Sequence, residues 1–298
     1  MRVLISGSHG LVGQALIGSL TNDGHEIHRL VRRGRAVGSS EIEWHPNQGL
    51  IDADHLEGLD AVVHLAGESI ASGRWSAEKK QKIRDSRVNG TQLLSRSLAL
   101  LSRPPATFIC ASAIGYYGNR GDEVLTEQSP PGKDFLSQVC GEWEKATQPA
   151  VEKGIRTVNA RFGIILAKEG GALAKMLPPF RMGVGGRIGD GKQWMSWIAL
   201  EDVVAALRFV ITNEAVEGAV NIVAPDPVRN ADFTKALGKA LGRPTLFPIP
   251  AFGVRLAFGE MADALLLASQ RVEPARLKDF GYEFKHGDIG KTLAHVLR

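Results

Sequence analysis

The chain has 298 residues, of which 44% are hydrophobic and 23% are charged, and its formal net charge is +4 at pH 7. A chain of this length buries a large core without disulfides, and its two cysteines form no CxxC or Cys/His cluster typical of a zinc site or a secreted disulfide framework. No apolar run approaches the roughly eighteen residues of a membrane-spanning helix, and the mild basic charge does not indicate nucleic-acid binding. We therefore expect a cytoplasmic protein whose partner is a small molecule, not nucleic acid or a membrane.

Short runs of β-branched and aliphatic residues recur along the chain and alternate with helical patterns. These runs predict strands at 2–6, 26–31, 61–66, 107–111, 157–162 and 219–223. Leu94, Leu98 and Leu101 recur at the spacing of one helix face. Continuous apolar strands that alternate with helices are typical of a parallel sheet covered on both faces, so the predicted fold class is α/β, a Rossmann-type doubly wound sheet.

The first predicted strand runs directly into the glycine-rich sequence GSHGLVG. It places Gly7, Gly10 and Gly13 at the start of a helix, with Leu11 and Val12 between them. Backbone N–H groups in such a turn, and the positive end of the helix dipole, bind phosphate. In this βαβ context the motif predicts dinucleotide binding, with a mere tight turn as the alternative. No Lys-Ser or Lys-Thr pair follows, which excludes the phosphate loop of nucleoside triphosphatases.

The second predicted strand ends in the basic sequence LVRRGR. NAD-binding proteins place a carboxylate here, about twenty residues past the glycines, on the ribose 2′-hydroxyl. Arg32 and Arg33 stand in its place. Because a guanidinium matches a 2′-phosphate in charge and geometry, the predicted cofactor is NADP(H), a solvated basic loop being the alternative.

Residues 108–118 read FICASAIGYYG, in which an apolar strand gives way to three hydroxyl-bearing side chains, Ser112, Tyr116 and Tyr117. On this stretch alone, a tyrosine-bearing turn at the edge of the sheet is the favoured interpretation. His64, a lone histidine in an earlier apolar strand, is predicted to be a core residue.

The composition of the chain changes near residue 163. A glycine-rich stretch follows, and after it comes a mostly helical sequence that prolines interrupt. We predict an NADP-binding Rossmann domain at 1–165, to which a strand and helix around 200–223 return. A smaller, mostly helical domain of 166–199 and 224–298 then completes a substrate cleft.

Several motifs in order resemble the extended short-chain dehydrogenase/reductase superfamily, typified by nucleotide-sugar epimerases and dehydratases. They are GSHGLVG at 7–13, DAVVHLAG at 60–67, VNGTQLL at 88–94 and GDGKQWMSWIALEDV at 189–203. The resemblance implies that the cofactor site also includes Leu65, Ala66, Gly67 and Gly163. It implies that Ser112 orients the reacting oxygen while a Tyr-x-x-x-Lys pair on the next helix moves the proton.

That pair is missing from this sequence. The helix FLSQVCGEWEKA at 135–146 carries Leu136 and Cys140 in its place, and no Tyr-x-x-x-Lys occurs anywhere in the chain. Tyr116 or Tyr117 becomes the candidate acid or base, with a wall of the substrate pocket as the alternative. Together with LLLASQRVEPARLKDFGYEF at 265–284, this pattern resembles an atypical, nucleoside-diphosphate-sugar epimerase-like branch that has a C-terminal domain of unknown function.

The resulting hypothesis is an NADP(H)-binding, epimerase-like oxidoreductase that transfers a hydride at a hydroxyl or carbonyl carbon of a small substrate, with a sugar among the options. The alternative is a noncatalytic NADP(H)-dependent binding or sensor protein that lost the acid–base pair. The resemblance allows a homodimer, and no metal is predicted.

Overall fold

The structure is a computed structural model that describes residues 1–32 and 40–298. Its strands are β1 (Arg2–Ser6), β2 (Glu26–Val31), β3 (Glu41–His45), β4 (Leu50–Ile51), β5 (Ala61–His64), β6 (Thr107–Ala113), β7 (Val124–Leu125), β8 (Arg156–Phe162), β9 (Ile164–Leu166), β10 (Trp194–Met195), β11 (Trp197–Ala199), β12 (Gly218–Ile222), β13 (Val228–Arg229) and β14 (Arg271–Val272). Its α-helices are α1 (Leu11–Asn22), α2 (Ala77–Leu100), α3 (Phe135–Lys145), α4 (Gln148–Glu152), α5 (Gly171–Arg181), α6 (Leu200–Thr212), α7 (Asn230–Leu241), α8 (Ala251–Phe258), α9 (Ala275–Asp279) and α10 (Ile289–Val296).

The central sheet has eight strands in the order β12, β8, β6, β5, β1, β2, β3, β4. Every pairing is parallel except that of β3 with the short β4. Connections between parallel strands must cross over a face of the sheet, which places helices on both sides. The predicted α/β, doubly wound fold is therefore confirmed.

Alternate residues of the strands bury themselves in two separate cores, one on each face of the sheet. In β1, Val3 and Ile5 pack into the core that contains residues of α1 and α6, whereas Leu4 packs into the core on the side of α2, α3 and α4. Successive side chains of a strand point to opposite faces, so an all-apolar strand needs both coverings.

A third core joins the later elements of the chain. Leu177 of α5, Trp197 of β11, Phe233 of α7 and Leu293 of α10 are all buried in it. The strand β12 and the helix α6 belong to the large sheet and its covering layer, and the division into two domains stays a prediction.

The predicted strands match β1 and β2 in full, and differ by one or two residues at the ends of the others. Sequence reasoning missed β3, whose EIEWH alternates half-buried and buried residues. The charged stretch at 73–87 enters α2 at Ala77, where the side chain of Ser76 accepts a hydrogen bond from the Lys79 N–H. Within 1–32 and 40–298, none of the helices is both long and apolar enough to cross a lipid bilayer.

Candidate functional site

The turn between β1 and α1 holds Gly7 and Gly13 in places where a side chain would collide with backbone. Gly7 has φ +66°, in the left-handed region, and a Cβ there would lie 2.7 Å from the carbonyl carbon of Leu65. A Cβ on Gly13 would lie 2.4 Å from the carbonyl oxygen of Gly7. The backbone of the turn therefore packs directly against the segment after β5 and against the helix that follows.

Within residues 1–32 and 40–298, no side chain caps the N-terminus of α1. Gly10 is the N-cap and offers no side-chain hydrogen bond, and the first turn, which begins with Leu11 and Val12, carries no acidic residue. The Gly10 N–H is used within the turn, where it donates to the Gly7 carbonyl at 2.9 Å. The N-terminal amides of a helix that lacks a cap and a carboxylate form an anion site, and this geometry fits the pyrophosphate of a dinucleotide.

The segment Leu65–Gly67, also predicted for the cofactor, forms the neighbouring wall of this turn. The Ser6 Oγ accepts hydrogen bonds from the Leu65 and Ala66 N–H groups at 3.0 and 3.2 Å. A Cβ on Gly67 would lie 3.4 Å from the guanidinium carbon of Arg87. Backbone hydrogen bonds and a close cation thus fix this segment beside the glycine turn.

His64 supports the same segment from inside the core. It is fully buried, and its Nδ1 lies 2.7 Å from the Ser6 Oγ. Burial lowers the pKa of His64 from 6.5 to about 4, so the imidazole is neutral at pH 7. Because the Ser6 oxygen accepts two N–H groups, its own proton points at Nδ1 and the His64 proton sits on Nε2. That atom has no hydrogen-bond partner among the residues that the structure describes, and the His64 ring meets the Trp44 ring edge to face. His64 is therefore a core residue, as the sequence predicts.

Arg32 follows β2 and is exposed. Its charge reaches the loop after β5, where the pKa of Glu68 is lowered mainly by a hydrogen bond from Lys79 and to a small extent by Arg32. The side chain of Arg32 is thus accessible from solvent. Arg33, predicted for the same role, lies outside the described residues.

At the end of β6 the predicted catalytic serine is part of a buried hydrogen-bond network. The Ser112 hydroxyl donates to the Glu144 carboxylate at 2.6 Å. Arg161 of β8 donates to both oxygens of the same carboxylate, each at 2.7 Å. Ser112 and Arg161 are only 2% and 3% exposed. This ion pair and its serine are a packed unit of α3, β6 and β8.

Tyr117 belongs to the same network and is fully buried. Its hydroxyl accepts a hydrogen bond from Arg161 at 2.9 Å and donates one to the Asn221 side chain at 2.7 Å. Burial raises the pKa of Tyr117 to about 12. Both the position and the pKa argue against the predicted acid–base role of this phenol.

Tyr116 differs from its neighbour because it is only half-buried. The guanidinium carbon of Arg161 lies 3.5 Å from the centre of the Tyr116 ring, and the two tyrosine rings meet edge to face at 5.3 Å. A cation against the ring face holds Tyr116 in place. Of the two predicted phenols, Tyr116 is the one with surface left for a substrate.

The face of α3 that would carry the missing tyrosine and lysine is apolar. Leu136 and Cys140 are 8% and 4% exposed and pack near Gly115. Burial raises the pKa of the Cys140 thiol to about 12, so it stays protonated. Neither side chain can replace a phenol or an ammonium group.

Gly163, predicted for the cofactor, meets protein on the sides where its Cβ would lie. A Cβ there would lie 2.6 Å from the Ser196 carbonyl oxygen and 2.7 Å from the Val223 side chain. Its N–H donates to the Ile222 carbonyl at 3.1 Å. The absence of a side chain at 163 is thus explained by packing alone.

The roles of three charged residues in this region were not predicted from the sequence. Arg161 and Glu144 form the ion pair at the end of β6, and Arg87 donates to the Glu68 carbonyl at 3.1 Å in the wall of the glycine turn. A lone arginine inside the apolar run TVNARF was the available signal for a buried, paired charge.

Comparison with known proteins agrees with this geometry. Residues 3–223 match the model of the NAD dependent epimerase/dehydratase family, and 249–296 match a domain of unknown function. An epimerase family protein of Mycobacterium bovis is 47% identical over 99% of this chain and 97% of its own length. The crystal structure of the human epimerase family protein SDR39U1 with NADPH superposes with a TM-score of 0.90 at 33% identity, over 99% of both chains. A nucleoside-diphosphate sugar epimerase from Corynebacterium glutamicum, 39% identical, gives a TM-score of 0.81 over 100% of this chain and 58% of its own. The chain belongs to the NAD-dependent epimerase/dehydratase family.

Proposed function

We propose that this protein binds NADP(H) and acts as an epimerase-like oxidoreductase at a hydroxyl or carbonyl carbon of a small molecule, with a sugar among the options. The proposal that the protein binds NADP(H) rests on the glycine turn. It presents the N-terminus of α1 without a capping side chain or carboxylate, and Gly7 and Gly13 let the backbone close around an anion.

Arg32 and the human relative support NADP(H) over NAD(H). The exposed guanidinium follows β2, where a carboxylate would grip the ribose hydroxyl of NAD. SDR39U1, which is similar over nearly the whole length, was crystallised with NADPH. In this protein Arg32 binds the adenosine 2′-phosphate, and Leu65–Gly67 form the wall beside it.

The bound nicotinamide supplies or accepts the hydride, and the chain supplies orientation and proton transfer. The Ser112 proton is committed to Glu144, so its oxygen can only accept a further hydrogen bond. Such an oxygen recognises a substrate hydroxyl better than a carbonyl. Tyr116, the half-buried phenol, is the proposed proton carrier.

A noncatalytic, NADP(H)-dependent sensor is the second candidate. The packing of Ser112 and the apolar face at Leu136 and Cys140 favour it, because they leave few polar groups for chemistry. Its cofactor site would be the same. A cytoplasmic location stays a prediction for both.

Turnover separates the two candidates. Protein loaded with NADPH is mixed with small carbonyl compounds, and protein loaded with NADP⁺ with small alcohols and sugars. The reduced-nicotinamide absorbance and chromatography of the products are followed. An enzyme oxidises or reduces its cofactor or returns an epimer, and Tyr116→Phe slows it about a hundredfold, the size of a general acid–base contribution. Tyr282→Phe is the matched control, since that phenol donates to the Asp202 carbonyl, outside the proposed site. Cofactor binding without conversion of any compound would support the sensor instead.

A further inference from the structure

A second cluster of ligand-type side chains lies outside the cofactor site, where α10 approaches the start of α6. Glu201 stands in the first turn of α6, His295 on α10 and His286 in the loop before α10. The Nε2 atoms of His295 and His286 lie 2.6 and 3.2 Å from the two carboxylate oxygens of Glu201. One ligand atom from each of the three residues lies within 4.8 Å of the others.

The backbone that carries this cluster is fixed by the neighbouring aspartate. Asp202 is 1% exposed, and its two carboxylate oxygens accept the N–H groups of Lys285 and His286 at 3.0 and 2.9 Å. The Asp288 side chain caps α10 by accepting the Lys291 N–H at 2.7 Å. Because the Asp202 bonds hold the His286 segment against α6 and the Asp288 cap fixes the start of α10, the three side chains converge without a large loss of conformational freedom.

The electrostatics of the cluster favour a cation. The Glu201 carboxylate lies within hydrogen-bond distance of both imidazoles, at 2.6 and 3.2 Å. The Lys285 ammonium lies 2.9 Å from it and is exposed. An exposed lysine can swing into water when a more strongly held cation arrives.

We propose that Glu201, His286 and His295 bind a divalent transition-metal ion of the Zn²⁺ type. Two imidazole nitrogens and one carboxylate oxygen are a common protein ligand set for such ions, and they leave a further coordination position open. On one side the cluster borders a pocket of about 620 Å³ lined in part by Ser19, Lys168, Glu201 and His295. Water or a small anion in that pocket completes the coordination.

The metal would join the C-terminal segment to the layer that supports the cofactor site. His286 and His295 lie in the region that matches the domain of unknown function, and α6 packs on α1, whose N-terminus belongs to the glycine turn. A metal that binds only the folded chain raises its stability by mass action. We therefore expect Zn²⁺ to raise the melting temperature.

The test uses untagged, full-length protein freed of metal with a chelator and then titrated with Zn²⁺ by calorimetry and with Co²⁺ by visible absorption. We expect one ion per chain and an absorption band typical of nitrogen and oxygen ligation. His295→Ala and Glu201→Gln should each weaken Zn²⁺ binding about tenfold or more and cancel the rise in melting temperature.

His55→Ala is the matched control, because His55 also pairs with a carboxylate, Asp52, at 2.9 Å, and is exposed. It should leave Zn²⁺ binding unchanged. Wild-type affinity in His295→Ala or Glu201→Gln would overturn the proposal, as would the absence of Zn²⁺ binding in the wild type. The circular dichroism of the metal-free variants checks that they fold, and since Glu201 and His295 are both exposed, neither change removes core packing.

Discussion

The glycine turn after β1 and the tyrosine turn after β6 follow parallel strands of one sheet, so both lie at its carboxyl edge, but they use their polar groups in opposite ways. In the first, none of the described side chains caps the backbone amides at the start of α1. In the second, Ser112, Tyr117, Glu144 and Arg161 bind one another and are largely buried. After their proposed roles, we call the glycine turn the cofactor end and the tyrosine turn with its ion pair the substrate end. The cofactor end therefore suits an anion, whereas most polar groups of the substrate end stabilise the protein itself.

The largest expected effect comes from breaking the ion pair at the substrate end. Glu144→Gln leaves the Arg161 guanidinium, 3% exposed, without its counter-charge, and should lower the free energy of unfolding by about 3–5 kcal/mol. Urea denaturation measures it. Asp263→Asn, which breaks the exposed pair with Arg255, should lower it far less, because water screens that pair. Equal losses in the two variants would show that the network at the end of β6 is not a structural unit.

Acid should weaken the wall of the cofactor end through His64. The folded chain holds this histidine with a pKa of about 4, below the ordinary 6.5, so the unfolded chain binds the proton more readily. Its contribution is complete above about pH 6.5, and roughly 3 kcal/mol of stability is lost as the pH falls toward 4. Urea denaturation between pH 4 and 7 should show this slope in the wild type and a shallower one in His64→Leu. The same slope in both would assign the acid sensitivity to other groups.

The two adjacent tyrosines should respond differently to loss of the hydroxyl. Tyr117→Phe removes a partner from the buried Arg161 and from Asn221, and should cost about 1–3 kcal/mol of stability. Tyr116→Phe keeps the ring against Arg161 and should change stability by less than about 0.5 kcal/mol. Thermal or urea unfolding gives both values. A larger loss in Tyr116→Phe would reverse the roles assigned here.

Arg32 gives the smallest effect, and it concerns cofactor choice. Arg32→Glu should weaken NADPH binding about tenfold and leave NADH binding nearly unchanged, because the 2′-phosphate is the group that distinguishes the two. Fluorescence titration with each cofactor measures the ratio. An unchanged NADPH affinity would remove Arg32 from the site.

The cofactor end could be predicted from the sequence because its signal is local. Gly7, Gly10 and Gly13 lie within seven residues, and the backbone conformation that they permit is itself the binding device. The alternation of apolar strands and helices likewise indicates the doubly wound fold. Within the central sheet, β3 and the two-residue β4 were missed; the five residues of β3 include three polar ones and resemble a loop.

The sequence could not predict that the polar groups of the substrate end bind one another, because these bonds join residues far apart in the chain. Ser112 meets Glu144 from 32 positions away, and Tyr117 meets Asn221 from 104 positions away. The sequence shows that these residues carry hydroxyl, carboxylate and amide groups, but not that each group is used inside the protein. Ser112 therefore looked like a free hydroxyl until the fold placed Arg161 and Glu144 beside it.

The most direct test of the cofactor end is calorimetric titration with NADPH of the wild type and of two glycine variants in α1. Gly13→Ala places a Cβ 2.4 Å from the Gly7 carbonyl, whereas a Cβ on Gly18 meets nothing within 4 Å. We predict that the wild type and Gly18→Ala bind NADPH alike, and that Gly13→Ala loses most of its affinity while circular dichroism still shows a folded chain. Absence of NADPH binding to the wild type, or equal affinity in folded Gly13→Ala, would contradict the account.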